Sequence, residues 1–356
     1  MSAIRVMIVD DSLLVRQMLR FMLEEAEGIE VIAEASNGRQ AVELVRTIKP
    51  DLVTMDLEMP VMGGLAAIEA IMCAKAVPIL VVSSLSNARV AMEAMELGAL
   101  DVVAKPDASP EAAAQLIAKV RLLSGVTVVT RMRSLRTTTH PDTLPSPLTL
   151  PDSPELPGFP RVFAIASSMG GPQALTRILP ALPAHFPCPV VIAQHISDGF
   201  AHGIVEWLGS LCALPVRLAT DGAPLQPGVI LISPSEVHFT VSSQRRVALV
   251  PRVPGDIYRP SCDRLLQSVA EVFGARAIGI ILPGMGSDGA AGMVRIHDKG
   301  GVTLAQDEAS SLMFGMNQVA IRTGKIQRVL PVESIAAEMI RLANAPVSGT
   351  TFGVAS

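Results

Sequence analysis

Short apolar segments alternate with segments of helical period along two long stretches of this chain, and this alternation restricts its possible folds more than any other feature. In the first stretch, residues 4–123, apolar residues recur at helical spacing between the short segments, for example along one face of Leu13–Glu25. Repeated β–α units of this kind predict a parallel, doubly wound sheet. The candidate strands are Ile4–Val9, Val31–Glu34, Leu52–Asp56, Pro78–Ser83 and Leu100–Ala104.

The same alternation resumes at Arg161 and continues to about residue 343. Short strands crowd together between residues 215 and 250, which predicts a β-hairpin inserted in an otherwise parallel sheet. The fold class is therefore α/β, with two doubly wound parallel-sheet domains, the first flavodoxin-like and the second Rossmann-like with the hairpin insertion. The candidate strands are Val162–Ala166, Val190–Gln194, Val216–Leu218, Val229–Ile232, Val237–Val241, Val247–Val250, Ala277–Leu282 and Val302–Ala305, and the candidate helices cover about residues 171–180, 200–210, 261–273, 289–299 and 333–343.

A proline-rich segment separates the two stretches. Its core, Thr137–Pro160, holds seven prolines together with several Thr and Ser residues. This composition is typical of an extended, solvated linker. We therefore expect a first domain over 1–123, a linker over 124–160, a second domain over 161–345 and a tail over 346–356.

The bulk composition excludes several classes of protein. The chain of 356 residues is longer than one hydrophobic core usually supports, which agrees with two domains. The net charge is -4 and no long basic stripe occurs, so nucleic acid is not an expected partner. There is no signal peptide and no apolar run of the roughly 20 residues that span a bilayer, so we expect a cytoplasmic protein without direct membrane insertion. The four cysteines are widely spaced, which predicts reduced thiols and neither a zinc site nor a disulfide framework.

Polar side chains end most of the candidate strands of the first domain. Asp10 and Asp11 follow the first strand, Asp56 ends the third, Ser83 ends the fourth and Lys105 follows the fifth. Because ligands of open α/β sheets bind at the carboxyl ends of the strands, we expect these side chains to share one pocket. The three carboxylates would repel one another, and a hard cation such as Mg2+ would relieve that repulsion. With a cation, a hydroxyl and an amine around it, Asp56 has what a carboxylate needs to accept a phosphoryl group.

Residues 1–123 resemble a response-regulator receiver domain, through "VDDS", "MDLEMPVMGG" and "VAKP". The resemblance implies that Asp56 is phosphorylated by a sensor histidine kinase, that Asp10 and Asp11 hold Mg2+ alongside it, and that Ser83 and Lys105 contact the phosphoryl group. Many receivers carry an aromatic switch residue three positions before the lysine, where this chain has Val102. We therefore expect this domain to signal through surface repacking without an aromatic rotamer switch.

The second domain contains a candidate serine nucleophile. Ser168 lies in a turn of small residues between an apolar strand and a helix, in "VFAIASSMGGPQAL". Such a turn exposes a hydroxyl and directs helix N–H groups at a developing oxyanion, although a serine there is also a common N-cap. His195 ends the next strand, and Asp288 follows a later one in "LPGMGSDGAAGM". All three would lie at the same edge of one sheet, as a nucleophile, its base and an orienting acid require.

The glycines around Asp288 allow a different interpretation. Gly284, Gly286 and Gly289 form a GxGxxG that follows a candidate strand and opens a candidate helix, and Asp307 lies about 20 residues further on. This is the pattern of a dinucleotide site such as that for NAD. Against it, Asp288 inside the motif would repel a pyrophosphate, and the same glycines would also serve to expose Asp288 to His195.

Residues 161–343 are similar to the catalytic domain of the chemotaxis protein-glutamate methylesterases. The similarity lies in "SSMGG", "AQHISDGF", "RPSCDRLLQSVAEVFG", "LPGMGSDGAAGM" and "AQDEASSLMFGMNQVAI". It implies that Ser168 is the nucleophile, His195 the general base and Asp288 the orienting acid. It also implies an oxyanion hole formed by the backbone N–H groups of Met169 and Met285.

The reaction implied by this resemblance is hydrolysis of glutamyl γ-methyl esters on methyl-accepting chemoreceptors, without a cofactor for the esterase step. Some members of the family also deamidate glutamine at the same sites. We expect the unphosphorylated receiver to cover the substrate groove, and phosphorylation of Asp56 to move the domains apart. Two alternatives remain open: a signalling adaptor with a degenerate catalytic domain, and a nucleotide-dependent enzyme that uses the GxGxxG.

Overall fold

The structure of this protein is a computed structural model that describes residues 3–84, 87–107, 109–126, 128 and 158–345. It contains two parallel sheets flanked by helices, which confirms the predicted α/β fold class. Most of the predicted linker, residues 129–157, and the predicted tail, residues 346–356, lie outside the described residues. The domain boundaries drawn from the sequence therefore stay predictions.

The first sheet has five strands, and every neighbouring pair is parallel. The strands are β1 (Ile4–Val9), β2 (Ile29–Ala35), β3 (Leu52–Met55), β4 (Ile79–Ser83) and β5 (Asp101–Ala104), and the helices are α1 (Leu13–Glu24), α2 (Gly38–Ile48), α3 (Gly64–Ala74), α4 (Ala88–Leu97) and α5 (Pro110–Leu123). The strand order is β2-β1-β3-β4-β5. The order reverses at β1 and β3, so their carboxyl ends form the crevice in which such sheets bind ligands.

The second part of the chain forms a seven-stranded parallel sheet and a separate two-stranded hairpin. The strands are β6 (Val162–Ser167), β7 (Val190–Gln194), β8 (Val216–Leu218), β9 (Ile230–Ile232), β10 (Val237–Val241), β11 (Val247–Pro251), β12 (Ala277–Ile281), β13 (Val302–Gln306) and β14 (Arg328–Leu330). The helices are α6 (Gly171–Ile178), α7 (Ala201–Leu211), α8 (Cys262–Phe273), α9 (Ala290–Asp298), α10 (Met316–Arg322) and α11 (Val332–Asn344).

The order in the larger sheet is β14-β13-β12-β6-β7-β9-β8, and it reverses between β12 and β6. Every residue of β6, β7 and β12 is buried, which explains why the sequences of these strands are almost continuously apolar. The segments that follow β6, β7 and β12 therefore meet at the switch point of the sheet. These segments carry Ser168, His195 and Asp288.

The predicted hairpin is confirmed as β10 and β11, which pair antiparallel. The neighbouring short strands β8 and β9 instead extend the parallel sheet. Two elements were not predicted, β14 and α10. The strand β14 has three residues with Arg328 and Val329 exposed, and α10 has seven residues, so neither presents a long periodic pattern.

The two sheets are joined through a packed helix pair, α4 of the first and α7 of the second. Met92 and Met95 of α4 belong to the same buried apolar cluster as Phe200 and Ile204 at the start of α7. Two sets of hydrogen bonds also cross between the sheets. Ser197 Oγ donates to Val102 O at 2.8 Å, and Gln173 Nε2 donates to the carbonyl oxygens of Met95 and Ala99 at 3.1 and 3.3 Å. The α4–β5 face of the first domain therefore lies on the carboxyl edge of the second sheet.

Candidate functional site

A sharp turn between β6 and α6 presents Ser168. Gly170 has φ +81, a conformation that glycine adopts without strain, and α6 begins at Gly171. A Cβ at Gly171 would lie 1.8 Å from Ser167 Oγ, so no larger residue fits there. The tight approach of helix and strand leaves Ser168 partly exposed at the edge of the sheet.

The structure separates the roles of the two adjacent serines. Ser167 is fully buried, and its hydroxyl donates to Gln194 Oε1 at 2.6 Å. The amide of Gln194 in turn donates to the carbonyl oxygen of Ser168 at 2.9 Å. Within the part of the chain that the structure describes, the Ser168 hydroxyl makes no hydrogen bond. Ser167 thus supports the turn, while Ser168 has a free hydroxyl.

His195 and Asp288 form a hydrogen-bonded pair beside this turn. The backbone N–H of His195 donates to Ser167 O at 2.9 Å, which places the imidazole next to the end of β6. His195 Nε2 lies 2.8 Å from Asp288 Oδ2. The His195 side chain is 14% exposed, whereas Asp288 is buried. Of the three predicted triad members, the structure joins this pair directly and leaves Ser168 without a hydrogen bond to the imidazole.

Asp288 is held as a carboxylate by the N-terminus of α8. It accepts the backbone N–H of Cys262 at 2.6 Å and that of Asp263 at 2.9 Å, and Ser261 Oγ donates to it at 3.2 Å. Burial pushes the pKa of Asp288 upward, but the hydrogen bonds from His195 and these backbone groups outweigh burial, so the pKa lies below its usual value. Because an ionised carboxylate only accepts, Nε2 of His195 donates this hydrogen bond, and in the neutral form of the imidazole Nδ1 then holds the lone pair.

A small cavity separates Ser168 and His195 from the first domain. Met92, Met95 and Val102 of the first domain face Ser168 and His195 across it. Its volume is about 10 Å³, roughly the room that one water molecule needs. This gap between the two domains therefore has no room for a substrate side chain.

The backbone N–H groups of the two residues predicted to form an oxyanion hole are unbonded within the described chain. They are those of Met169, next to the serine, and Met285, in the loop after β12. That loop approaches the serine closely, since a Cβ at Gly284 would lie 2.6 Å from Ser168 Cβ. The carbonyl oxygen of Gly284 accepts the N–H groups of Gly315 and Met316, which fixes the loop in place.

The glycines of the GxGxxG serve this same loop. Gly284 adjoins Ser168, and Gly286, with φ +92, has no space for a Cβ because the Tyr258 hydroxyl lies 2.6 Å from that position. Asp288 is hydrogen-bonded to His195 and to the N-terminus of α8. Asp307 accepts from the backbone and side chain of Ser310 in its own turn. The motif therefore shapes the surroundings of Ser168 and Asp288, which disfavours the dinucleotide interpretation.

A second polar pocket lies at the carboxyl ends of β1, β3 and β5. Asp56 is buried there, and its Oδ2 atom lies 2.9 Å from Lys105 Nζ. The same amine lies 2.8 Å from Asp10 Oδ2. Burial raises the pKa of Asp56 and the charge of Asp10 adds to the rise, while the hydrogen bond from Lys105 acts against it.

The same pocket fits a hard divalent cation. Carboxylate oxygens of Asp10, Asp11 and Asp56 lie within 4.8 Å of one another, and an all-oxygen set is the one that Mg2+ prefers. The Ser83 hydroxyl is buried at the end of β4 and has no hydrogen-bond partner among the described residues. The five residues predicted for this site thus converge on one edge of the first sheet.

Sequence reasoning missed three groups at the catalytic edge. These are Gln194, the α8 N-terminus at Ser261–Asp263, and Tyr258, whose ring stacks on His195 with centroids 5.4 Å apart. The α8 N-cap alone had a local signal, because Ser261 precedes an amphipathic helix and accepts the Arg264 N–H. The contact of that cap with Asp288 spans more than 20 residues of sequence and has no such signal.

The cysteines are free thiols, as predicted. Burial raises the pKa of Cys188 to about 11 and that of Cys212 to about 12. Cys262 is fully buried beneath His195, with its sulfur 3.5 Å from Nε2, and its pKa is also raised by burial.

Among the described residues, no helix is both long enough and apolar enough to cross a bilayer.

Two protein-family models match this chain. The model of the CheB methylesterase matches residues 163–339, and that of the response regulator receiver domain matches residues 6–120. The matched segments coincide with the two sheets.

Proteins in several organisms are similar to this chain over nearly its whole length. A protein-glutamate methylesterase/protein-glutamine glutaminase of Paramagnetospirillum magneticum is 51% identical over 350 residues, covering 97% of each chain. One of the same description from Archaeoglobus fulgidus is 37% identical over 350 residues, covering 95% of this chain and 97% of the relative. Among solved structures, the Thermotoga maritima CheB methylesterase catalytic domain is 34% identical with a TM-score of 0.50, covering 51% of this chain and 98% of that one.

Proposed function

This chain belongs to the CheB methylesterase family, and we propose that Ser168, His195 and Asp288 are the groups with which it hydrolyses glutamyl γ-methyl esters. The protein is a phosphorylation-activated protein-glutamate methylesterase of chemosensory adaptation, with a receiver domain before the catalytic domain. The observation that carries the assignment of residues is the His195–Asp288 pair, at 2.8 Å, beside a serine with a free hydroxyl. The same triad would hydrolyse glutamine side-chain amides, the second activity in the description of its relatives.

In the proposed reaction, Ser168 Oγ attacks the ester carbonyl carbon while His195 Nδ1 takes the hydroxyl proton. The imidazolium then returns this proton to the departing methoxide, and methanol leaves. Water, deprotonated by the same nitrogen, then attacks the acyl-enzyme; the imidazolium returns the proton to Ser168 Oγ as it leaves, and the glutamate carboxylate is released. Asp288, ionised because its pKa is lowered, keeps the proton on Nε2 and stabilises the imidazolium.

We assign the oxyanion hole to the N–H groups of Met169 and Met285. Both are unbonded within the described chain, and both lie in turns that adjoin Ser168. Preorganised backbone donors at such a position stabilise the tetrahedral intermediate without having to reorient. The esterase step then needs three side chains, two backbone groups and water, and we propose that it uses no cofactor.

Receiver domains are phosphorylated in an Mg2+-dependent reaction, and here we assign the acceptor to Asp56 and the cation to Asp10, Asp11 and Asp56. The cation would neutralise charge on the phosphoryl group during transfer. Ser83 and Lys105 would contact the bound phosphoryl group. The unpartnered Ser83 hydroxyl and the Lys105 amine support these roles.

We propose that the closed arrangement is the inhibited state of the unphosphorylated enzyme. The cavity of about 10 Å³ between Ser168 and the receiver residues Met92, Met95 and Val102 admits no substrate. Strand β5 links this barrier to the phosphorylation site, because Val102 bonds to Ser197 while Lys105, just past the strand, pairs with Asp56. Phosphorylation turns the Asp56 carboxylate into an acyl phosphate that carries about -1.5 to -2 charges. It would draw Lys105 from its present partners and loosen the contact of β5 with the catalytic domain.

The proposed partners follow from the two domains. A sensor histidine kinase would supply the phosphoryl group, and methyl-accepting chemoreceptors would be the substrate. We place the enzyme in the cytoplasm, where its free thiols would persist.

The decisive experiment measures methanol release from methylated receptor by the full chain, with and without acetyl phosphate. We expect release to rise with the phosphodonor and to vanish in Ser168→Ala, while Ser167→Ala, one residue away, retains it. Activity in Ser168→Ala would refute the nucleophile assignment. Equal release with and without the phosphodonor would refute the inhibited closed state.

A further inference from the structure

The ring of Tyr258 is stacked parallel to the imidazole of His195. The ring centroids are 5.4 Å apart and the two planes differ by 6°. The final torsion of a histidine side chain is broad, so the plane of the ring must be set by its neighbours. A parallel aromatic ring on one face resists rotation of the imidazole out of line with Asp288.

The hydroxyl of the same tyrosine contacts the loop that carries the oxyanion donor and the acid. The backbone N–H of Ser287 donates to the Tyr258 hydroxyl at 3.2 Å. Gly286 packs so closely that a Cβ there would lie 2.6 Å from this oxygen and 3.1 Å from the ring carbon Cε1. The loop between Met285 and Asp288 is thus folded around the phenol.

Tyr258 itself is held by a network below it. Asp256 Oδ2 accepts from Val253 N and from His238 Nε2, both at 2.8 Å. The other nitrogen of the buried His238 accepts the Ser261 N–H at 3.0 Å. The segment from Asp256 to Ser261 is therefore bonded at both ends to His238 of β10, and Tyr258 projects from a fixed support.

We propose that Tyr258, the only tyrosine of the chain, is a positioning residue for the esterase reaction. Its ring sets the plane of the His195 imidazole, and its hydroxyl sets the loop that contains Met285 and Asp288. This inference rests on the proposed roles of Ser168, His195 and Asp288. It goes beyond them because Tyr258 touches neither the nucleophile nor the reacting carbonyl in the proposed mechanism.

The test compares Tyr258→Leu and Tyr258→Phe in the full chain activated with acetyl phosphate. Methanol release gives kcat and KM, and an organophosphorus ester that labels the active serine measures the reactivity of Ser168 without the receptor. For Tyr258→Leu we expect a fall in kcat on the order of 10²-fold, a KM within about twofold of wild type, and an equal slowing of Ser168 labelling. For Tyr258→Phe, which keeps the ring, we expect only a loss of roughly 2- to 10-fold in both kcat and labelling, from the missing hydroxyl contact.

Ile257→Ala is the matched control, because this neighbouring side chain is 86% exposed and the change should alter neither rate. Wild-type kcat and labelling in Tyr258→Leu would overturn the proposal, as would a change in KM alone. If Tyr258→Leu fails to fold, as judged by thermal melting, Tyr258→Phe becomes the test variant. The proposed role of the ring would be overturned if the ester labelled Tyr258→Phe no faster than it labels Ser168→Ala. If the triad assignment itself is wrong, methanol release will persist in Ser168→Ala, and this result distinguishes that failure from failure of the Tyr258 proposal.

Discussion

Gly203 in α7 lies directly against Ala88 in α4, so closely that a Cβ on Gly203 would be 2.5 Å from the Ala88 carbonyl carbon. Helix α7 follows the loop that begins at His195, and α4 precedes the strand that carries Val102. The missing side chain at Gly203 therefore permits the approach that brings the receiver over Ser168.

Gly203→Ala should activate the unphosphorylated enzyme. The added methyl group meets backbone atoms of Ala88 that cannot move aside, and a clash of ~1–2 kcal/mol would shift the closed state toward the open one by roughly 5- to 30-fold. We expect methanol release without phosphodonor to rise by up to this factor. Gly209→Ala on the same helix is the control, since its nearest neighbour lies at 4.0 Å. Equal basal rates in the two variants would contradict the inhibitory role of this contact.

Ser197→Ala should act in the same direction but more weakly. It removes the hydrogen bond from Ser197 Oγ to Val102 O, which crosses between the domains at 2.8 Å. A bond of this kind contributes ~0.5–1.5 kcal/mol, so basal methanol release should rise by roughly 2- to 10-fold. Ser210→Ala provides the comparison, because Ser210 bonds only within its own helix, to Trp207 O. An unchanged basal rate in Ser197→Ala would show that this bond does not favour closure.

Asp288→Asn should remove most of the turnover while the protein stays folded. With the amide oxygen at the Oδ1 position it still accepts the Asp263 N–H, but the amide nitrogen then faces His195 and cannot accept the Nε2 proton. The wrong imidazole tautomer is then favoured, and in a triad this change lowers kcat by about 10⁴. Steady-state kinetics of the activated enzyme, with a thermal melt as the folding check, would test this. A loss below tenfold would exclude the orienting role.

Removal of divalent cations should abolish activation without lowering the basal rate. The proposed Mg2+ ligands Asp10, Asp11 and Asp56 lie in the receiver, and the esterase step as proposed uses no metal. With excess EDTA, acetyl phosphate should no longer stimulate methanol release, and Asp56→Asn should behave identically with Mg2+ present. A basal rate that falls on EDTA treatment would instead indicate a metal in the esterase step.

Asp256 should stabilise the fold in a pH-dependent way. Hydrogen bonds from Val253 N–H and then from His238 lower its pKa from 3.8 to about 2. A carboxyl whose pKa is lower in the folded state stabilises that state above the unfolded pKa, and this contribution is lost as the pH falls through the folded value. The difference in free energy of unfolding between wild type and Asp256→Asn, from urea titrations, should thus be full at pH 5 and above and should shrink between pH 4 and pH 2. A constant difference across that range would contradict this linkage.

Much of the receiver pocket could be predicted because its members are tied to strand ends. Asp56 and Ser83 were placed by the alternation of apolar segments alone, and parallel strands bring their ends to one edge. The pairing of Lys105 with both Asp10 and Asp56 could not be predicted, because it depends on the twist and spacing of β1, β3 and β5.

The catalytic edge was predicted less completely. The order of strands places Ser168, His195 and Asp288 at the switch point, as their positions after apolar strands indicated. The choice of Ser168 over Ser167 in the structure rests on burial, since Ser167 is closed off by Gln194 and by the approach of Gly171. The sequence alone offers no measure of that burial.

The sequence by itself determined the two α/β domains, their order and the residue types at their strand ends. These follow from periodicity and local turn chemistry, which act over a few residues. Tertiary structure alone decided which nitrogen of His195 meets Asp288, that α8 holds this carboxylate, and that Tyr258 stacks on the imidazole. It also decided that the receiver covers Ser168. Such contacts join groups far apart along the chain, and only the packing of complete elements brings them within the few ångströms over which hydrogen bonds and ring contacts act.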